Sequence, residues 1–240
     1  MTEKEILLHF LQYPLDTSEG IFRKFQEIPG ARSFGHGNER SLYIAGSSTK
    51  KVLLIVHADT YWDANNPSLG DTELVIKGGR IHNPQGGLGG DDRAGCALVW
   101  ILRELGHSIL ITDGEERGSL ASKWLVDNHS DVIDEINNDH QFMVQFDRGN
   151  GCDYKCYDVG TDAFRSYIEQ ISGYREPDRN RSTDIKYLCK TICGVNLSIG
   201  YHNEHTAEEF LVLDEWQHTL EVAREWLSQP DLPLFKLGNG

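Results

Sequence analysis

Basic residues are scarce in this 240-residue chain: 23 lysines and arginines stand against 37 aspartates and glutamates, a formal net charge of −14. Such a field repels polyphosphate, which excludes nucleic acid and anionic membrane as default partners and favours divalent metals and ammonium-bearing ligands. Long hydrophobic runs are missing too, since no stretch approaches the roughly 18 apolar residues that suggest a bilayer crossing. The opening MTEKEILLHFLQYPLD is charged at its start and places its apolar residues at helical spacing. That pattern predicts no secretory signal and a cytoplasmic location. Cysteine is sparse and odd in number, five in all, which fits a reducing compartment better than a disulfide framework. Cys152/Cys156 and Cys189/Cys193 share a four-residue step, looser than the usual zinc knuckle, and are expected to be reduced, partly buried thiols. Repeats and low-complexity tracts are absent. What is there, 39% apolar and 10% aromatic residues, suffices for a substantial core and for one domain over 1–240.

The order of elements follows from periodicity. TEKEILLHFLQYP and TSEGIFRKFQEI read as short amphipathic helices, and SLYIAG and KVLLIVHAD as strands. The unbroken run Val52 to Val56 suits a strand covered on both faces. ELVIKGGRIHN predicts a hairpin turned at Gly78-Gly79. A helix from about Arg93, a strand HSILITD, a helix from Ser119 to about Ile136 and a strand QFMVQFD come next. AFRSYIEQI and DIKYLCKTI read as helices around a polar loop, followed by a strand GVNLSIG and a long helix from about Ala207 to Leu227. Alternating strands and helices predict an α/β three-layer sandwich with a mostly parallel, mixed central sheet.

The strands end on polar groups of one kind. LLIVHADT delivers His57 and Asp59, ILITDGEERG delivers Asp113, Glu115 and Glu116, and FMVQFDRG delivers Asp147. VNLSIGYHNEHTAEE delivers His202 and His205, and Asp91-Asp92 open an apolar helix. Ligands of open α/β sheets bind outside the carboxyl ends of strands, so these groups are candidates for a metal centre. His57 and Asp59 alternate along a strand and can lie side by side. A carboxylate accepting one imidazole N–H frees the other nitrogen for metal. Adjacent Glu115 and Glu116 diverge, which suits one carboxylate on metal and one facing the water that the metal polarises.

On the motifs HAD (57–59), GGDDRAG (89–95), DGEERG (113–118), FDRG (146–149) and HTAEEF (205–210), the sequence resembles the zinc-dependent di-metal exopeptidases. That superfamily includes peptidase T, glutamate carboxypeptidases, acylases and bacterial zinc aminopeptidases. The resemblance runs from about residue 50 to 215 and implies the phosphorylase/hydrolase-like zinc exopeptidase fold. It also implies two Zn2+ ions bridged by Asp91, with Co2+ or Mn2+ as possible substitutes. His57 and Asp147 would complete one site, Glu116 and His205 the other. Glu115 would be the general base and Asp59 the carboxylate behind His57. His205 is preferred to His202 because Glu209 follows it by four residues, and an unusual peptide bond is implied between Asp91 and Asp92. Two divalent ions about 3.5–4 Å apart repel, and a bridging carboxylate offsets that repulsion.

Many members insert a lid or dimerisation domain after the position matching Asp147. Here His205 follows Asp147 by 58 positions, which leaves no room for one. The compact form favours an aminopeptidase acting on a small peptide or amino-acid amide, with Tyr201 or His202 as candidates for the oxyanion contact. Arg148 and a loop with Arg175, Arg179 and Arg181 would instead suit an anion, making a carboxypeptidase or N-acyl-amino-acid deacylase the alternative. A non-catalytic, metal-stabilised interaction module is the second alternative. Oligomeric state is left open, since Trp216, Trp226 and PDLPLFKLG suit either an interface or the core.

Overall fold

Apolar residues that alternate along each strand divide the interior into two cores, one on each face of a central sheet. The computed structural model describes residues 1–65, 73–178 and 182–238. Its strands are β1 (Arg32–Phe34), β2 (Ser41–Ile44), β3 (Leu53–His57), β4 (Val75–Lys77), β5 (Arg80–His82), β6 (Ser108–Thr112), β7 (Met143–Arg148), β8 (Tyr154–Lys155), β9 (Gly194–Ser198), β10 (Tyr201–His202) and β11 (Phe210–Val212). Its α-helices are α1 (Glu3–Leu11), α2 (Glu19–Gln26), α3 (Tyr61–Asn65), α4 (Gly90–Leu102), α5 (Leu120–Asn128), α6 (Ser130–Asp139), α7 (Asp162–Ser172), α8 (Ile185–Leu188) and α9 (Leu213–Leu227).

Seven strands form the central sheet in the order β1-β2-β6-β3-β7-β9-β8. The inner four, β6-β3-β7-β9, are parallel, and the antiparallel pairings fall toward the edges. Leu54 and Val56 of β3 join Ile109 and Ile111 of β6 and Val144 and Phe146 of β7 in one core, which also holds the apolar faces of α1, α2, α4, α7 and α9. Leu53 and Ile55, with Leu110 and Met143, point the other way onto α5, α6 and α8. This is the mixed three-layer sandwich that the alternation of elements predicts. The hairpin turned at Gly78-Gly79 pairs into a second, antiparallel sheet ordered β10-β11-β5-β4.

Four elements depart from the sequence-based expectation. The helix expected from Ser119 to about Ile136 is two helices, broken at His129 (φ −134°, ψ 63°), whose ring packs on Phe34 and Trp124. The long helix begins at Leu213, because Phe210–Val212 pairs with β5 instead of coiling. DIKYLCKTI forms only the single turn α8, and Cys189 beyond it is extended. The helix expected near Arg93 starts at Gly90 and so includes both aspartates, with non-helical backbone at Asp91 and Asp92 and a cis peptide bond between them. Trp216 and Trp226 are buried, and Phe235 hydrogen-bonds Gln141 and Cys193, so the final segment covers the core. All five cysteines are free, and only Cys152 is exposed. Among the described residues, no helix is long and apolar enough to cross a membrane.

Candidate metal centre

The polar groups at the carboxyl ends of β3, β6 and β7 meet the first turn of α4 and the segment joining β10 to β11. His57 is the last residue of β3 and is fully buried. Asp147 lies near the end of β7, where Gln145 Nε2 and Thr183 Oγ1 donate to its Oδ2 at 3.0 and 2.9 Å. Beyond β6 the chain turns at Gly114 (φ +64°), where a Cβ would lie 2.5 Å from the Asn38 carbonyl oxygen. Only glycine fits that turn, which presents Glu115 and Glu116. At the start of α4 the buried Glu209 carboxylate accepts the N–H groups of Leu88, Gly89 and Asp91 at 3.0, 2.8 and 3.3 Å. A carboxylate from 120 residues away thus supplies the capping that the local sequence lacks.

These anchors bring the expected ligands together in two groups. His57 Nε2 stands 3.0 Å from Asp91 Oδ1 and 3.3 Å from Asp147 Oδ1. His205 Nε2 stands 3.3 Å from Asp91 Oδ2 and 3.0 Å from Glu116 Oε1. In each group the candidate ligand atoms lie within 4.8 Å of one another, and Asp91 belongs to both, one oxygen to each. Behind His57, Nδ1 faces the Asp59 carbonyl oxygen at 3.1 Å and Asp59 Oδ1 at 3.3 Å. The Asp59 carboxylate also accepts the Glu115 and Glu116 N–H groups at 3.2 and 3.1 Å. One side chain therefore orients both the imidazole and the two-glutamate turn. The Tyr61 ring stacks on His205, centroids 4.6 Å apart and planes 9° from parallel.

Burying so many carboxylates is costly unless cations neutralise them. Burial raises Asp147 to about 7, and the Asp91 charge adds to the shift. Burial likewise holds the Glu115 carboxyl well above its ordinary range, with the Asp147 charge in support. Burial pulls His205 down, but its contacts with Asp91 and Glu116 prevail and lift it to about 10. In His57 the pull of burial is overcome by the Asp147 charge and by Asp147, Asp59 and Asp91 contacts. Imidazole protons thus do the neutralising that a metal cation would do. Glu116 Oε1 and His205 Nε2 are buried yet make no hydrogen bond, although they stand 3.0 Å apart. The donor set gathered here, two imidazoles and three carboxylates, suits a divalent ion of the zinc type.

The remaining candidates separate clearly. Glu115, Glu116, Asp91, Asp147, Arg148, Tyr201 and His205 all line one cleft of about 270 Å³. The Tyr201 hydroxyl lies 3.5 Å from Asp147 Oδ1. His202 points away, stacking on Phe210 and bonding Glu215 at 2.6 Å. Asp92 faces the backbone, accepting from His57 N and Gly95 N at 3.2 and 3.1 Å. Asp113 accepts from Ser18 Oγ and Gly114 N and joins neither ligand group. Arg175 is absent from the cleft lining, and Arg179 and Arg181 lie outside the described residues. Sequence reasoning missed Arg93, which is fully buried and donates to the carbonyls of Ala58, Pro14 and Thr17. It ties the N-terminal segment to the turn after His57, and nothing in GGDDRAG announces that task.

Neither a protein-family pattern nor any curated protein matches the chain in sequence. Solved structures do share its fold. The aminopeptidase PepT of Bacillus cereus ATCC 10987 superimposes with a TM-score of 0.63 at 14% identity, over 93% of this chain and 97% of that one. A tripeptidase of Staphylococcus aureus subsp. aureus Mu50 gives 0.65 at 13% identity, over 95% and 100%. The aminopeptidase APDkam598 of the archaeon Desulfurococcus kamchatkensis gives 0.64 at 12%, over 93% and 94%. At such identities the likeness is one of fold, and it is the fold that the motif resemblance implies.

Proposed function

We propose that this chain is a metal-dependent peptidase of one catalytic domain, an aminopeptidase acting on short peptides or aminoacyl amides in a reducing, cytoplasmic compartment. The observation that carries the reading is the pair of three-residue ligand groups sharing Asp91, with Glu115 lining the same cleft. In this reading His57, Asp91 and Asp147 hold one zinc ion, and Asp91, Glu116 and His205 hold the other. Peptidase activity of the fold neighbours supports the choice of reaction.

Bound there, two divalent ions would supply Lewis acidity for the scissile carbonyl and the attacking water. The side chains do the rest. Glu115, its backbone fixed by Asp59, takes a proton from the water whose oxygen adds to the carbonyl carbon. It then gives that proton to the amide nitrogen as the C–N bond breaks. Tyr201, which lines the cleft and has its hydroxyl 3.5 Å from Asp147 Oδ1, is the candidate donor to the developing oxyanion. Asp59 keeps the His57 ring oriented through Nδ1.

Glu115→Gln tests the base. Turnover should fall by about 10²–10⁴-fold while metal content stays near two ions per chain. Undiminished turnover would remove Glu115 from that role. Substrates with free amine, blocked amine and free carboxylate, assayed in parallel, separate an aminopeptidase from a carboxypeptidase or deacylase. Two bound zinc ions with no hydrolysis of any of them would point instead to the interaction module.

A further inference from the structure

The described side chains lining the cleft include a single lysine or arginine, Arg148, and its surroundings do not account for it. Its side chain is only 10% exposed, yet its one ionic contact among the described residues is Asp153 Oδ2 at 3.7 Å. That is beyond hydrogen-bonding distance. The same Asp153 oxygen is already engaged by Asn150 Nδ2 at 3.1 Å. Arg148 Nε is buried with no partner, and so is Arg93 Nε, but both terminal nitrogens of Arg93 are engaged. Two other arginines of this molecule show what a structural guanidinium looks like. Arg93 donates to three carbonyls, two of them at 2.8 and 3.0 Å. Arg165 reaches Glu176 at 2.7 Å and the carbonyls of Tyr157 and Gly160. A guanidinium carries five donors in a planar fork, and a buried donor left unused, as Nε is here, is costly.

We infer that Arg148 anchors the C-terminal carboxylate of the substrate. The fork geometry matches a carboxylate with two parallel N–H···O bonds. The position sets the substrate length. Arg148 directly follows the candidate ligand Asp147, so the two Cα atoms are about 3.8 Å apart. With both side chains lining one small cleft, a carboxylate held by Arg148 is assigned to a position one or two residues from the scissile carbonyl. The cleft volume of about 270 Å³ falls just below the range of roughly 300–1,000 Å³ usual for drug-sized ligands. Asn150 and Tyr157 line the same cleft. The ligand class is a dipeptide or tripeptide with an unblocked C-terminus, and an amidated or long chain would leave the guanidinium buried and unpaired. This inference takes its reaction from the peptidase reading above, but the subsite itself can be tested without turnover.

The test uses zinc-loaded protein and dipeptide isosteres with a reduced, uncleavable amide, their affinities measured by calorimetry. Two probes differ only in the C-terminus, free carboxylate or carboxamide. A third has an amidated C-terminus and carries its carboxylate on a glutamyl side chain. The free carboxylate should bind about 10–100-fold more tightly than the carboxamide, as a bidentate charge-assisted pair predicts, and the glutamyl probe should rank with the carboxamide. R148M should bring the ratio close to one, and R148K, which keeps the charge without the fork, should fall between. Equal affinity of the first two probes for the unsubstituted protein, including no measurable binding of either, overturns the inference. So does a ratio that survives in folded R148M, and a glutamyl probe that binds like the free carboxylate overturns the C-terminal assignment. Should R148M fail to fold, the unsubstituted protein and R148K decide. Carboxylate preference without hydrolysis of the matching peptides sinks the peptidase reading alone. Hydrolysis without that preference sinks the subsite alone.

Discussion

The parallel strands bury histidines at both ends, with opposite consequences. At the amino ends, His107 precedes β6 and His140 precedes β7. His107 Nδ1 accepts from Val52 N at 3.2 Å, and its Nε2 pairs with the Leu227 carbonyl at 2.8 Å. His140 Nδ1 pairs with the Ile136 carbonyl at 2.7 Å. Burial pulls both imidazoles down, His140 to about 4, so both are neutral. At the carboxyl end His57 is buried as completely as His140, yet it is held well above its ordinary value. The difference is what faces each ring: backbone carbonyls at one end, carboxylates at the other. Burial alone makes a histidine structural, whereas burial among carboxylates makes it a candidate for a cation site.

The sharpest way to break this contrast is to remove the carboxylate common to both ligand groups. Asp91→Ala should reduce bound zinc from near two ions per chain to one or none. Activity should then fall by more than the roughly 10–100-fold typical of losing an outer-shell partner. Metal analysis with peptide turnover on the same samples checks both. Retention of two ions would show that Asp91 is not the bridge, whatever its position between His57 and His205.

A smaller effect is expected one layer further out. Asp59 touches no candidate ligand atom other than through the His57 ring, and it also receives the two N–H groups of the Glu115–Glu116 turn. Asp59→Asn keeps the shape and removes the charge. Metal affinity or kcat should fall by roughly 10–100-fold. Chelator competition and steady-state kinetics read the two separately, and an unchanged enzyme would leave His57 oriented by the Asp59 carbonyl alone.

The apolar runs and the groups at their ends were legible in the sequence because both follow from one-dimensional spacing. Val52 to Val56 reads as a strand buried on both faces, and His57 is where that run stops. The same spacing hides features set by distant contacts. His129 interrupts a helix whose apolar residues keep their period on either side, and its packing on Phe34 comes from another part of the chain. Phe210–Val212 sits in a stretch that reads as amphipathic helix, and pairing with β5 makes it a strand. Glu209 is legible in the sequence as the marker that picks out His205, but its task at Gly89 is not, because it spans 120 residues. Arg148 stood out as a cation in an acidic chain, but whether its donors were used depended on Asn150 and Asp153 in space. Nor did sequence neighbours separate the two kinds of histidine: His140 follows Asp139 directly, and that carboxylate is exposed while the ring is buried.

The smallest expected effect tests the other end of the strands. His140 is neutral in the folded protein and free to take a proton once unfolded. Its folded value of about 4 lies below the ordinary 6.5, so unfolding takes up a proton between those limits. Its contribution is fully present above about pH 6.5, is lost progressively as pH falls toward 4, and changes no further below that. Between pH 7.5 and 5.5 the loss from this one group should be about 1 kcal/mol. Urea unfolding of metal-free protein at the two pH values measures the total change, to which His107 and the site carboxylates also contribute. His140→Gln isolates the histidine, because the drop between the two pH values should then be smaller by that amount, whatever the variant's stability at pH 7.5. An unchanged drop would mean that His140 takes up its proton at the same pH in the fold as in the unfolded chain. Burial at the amino ends of the strands would then not be what holds that histidine neutral.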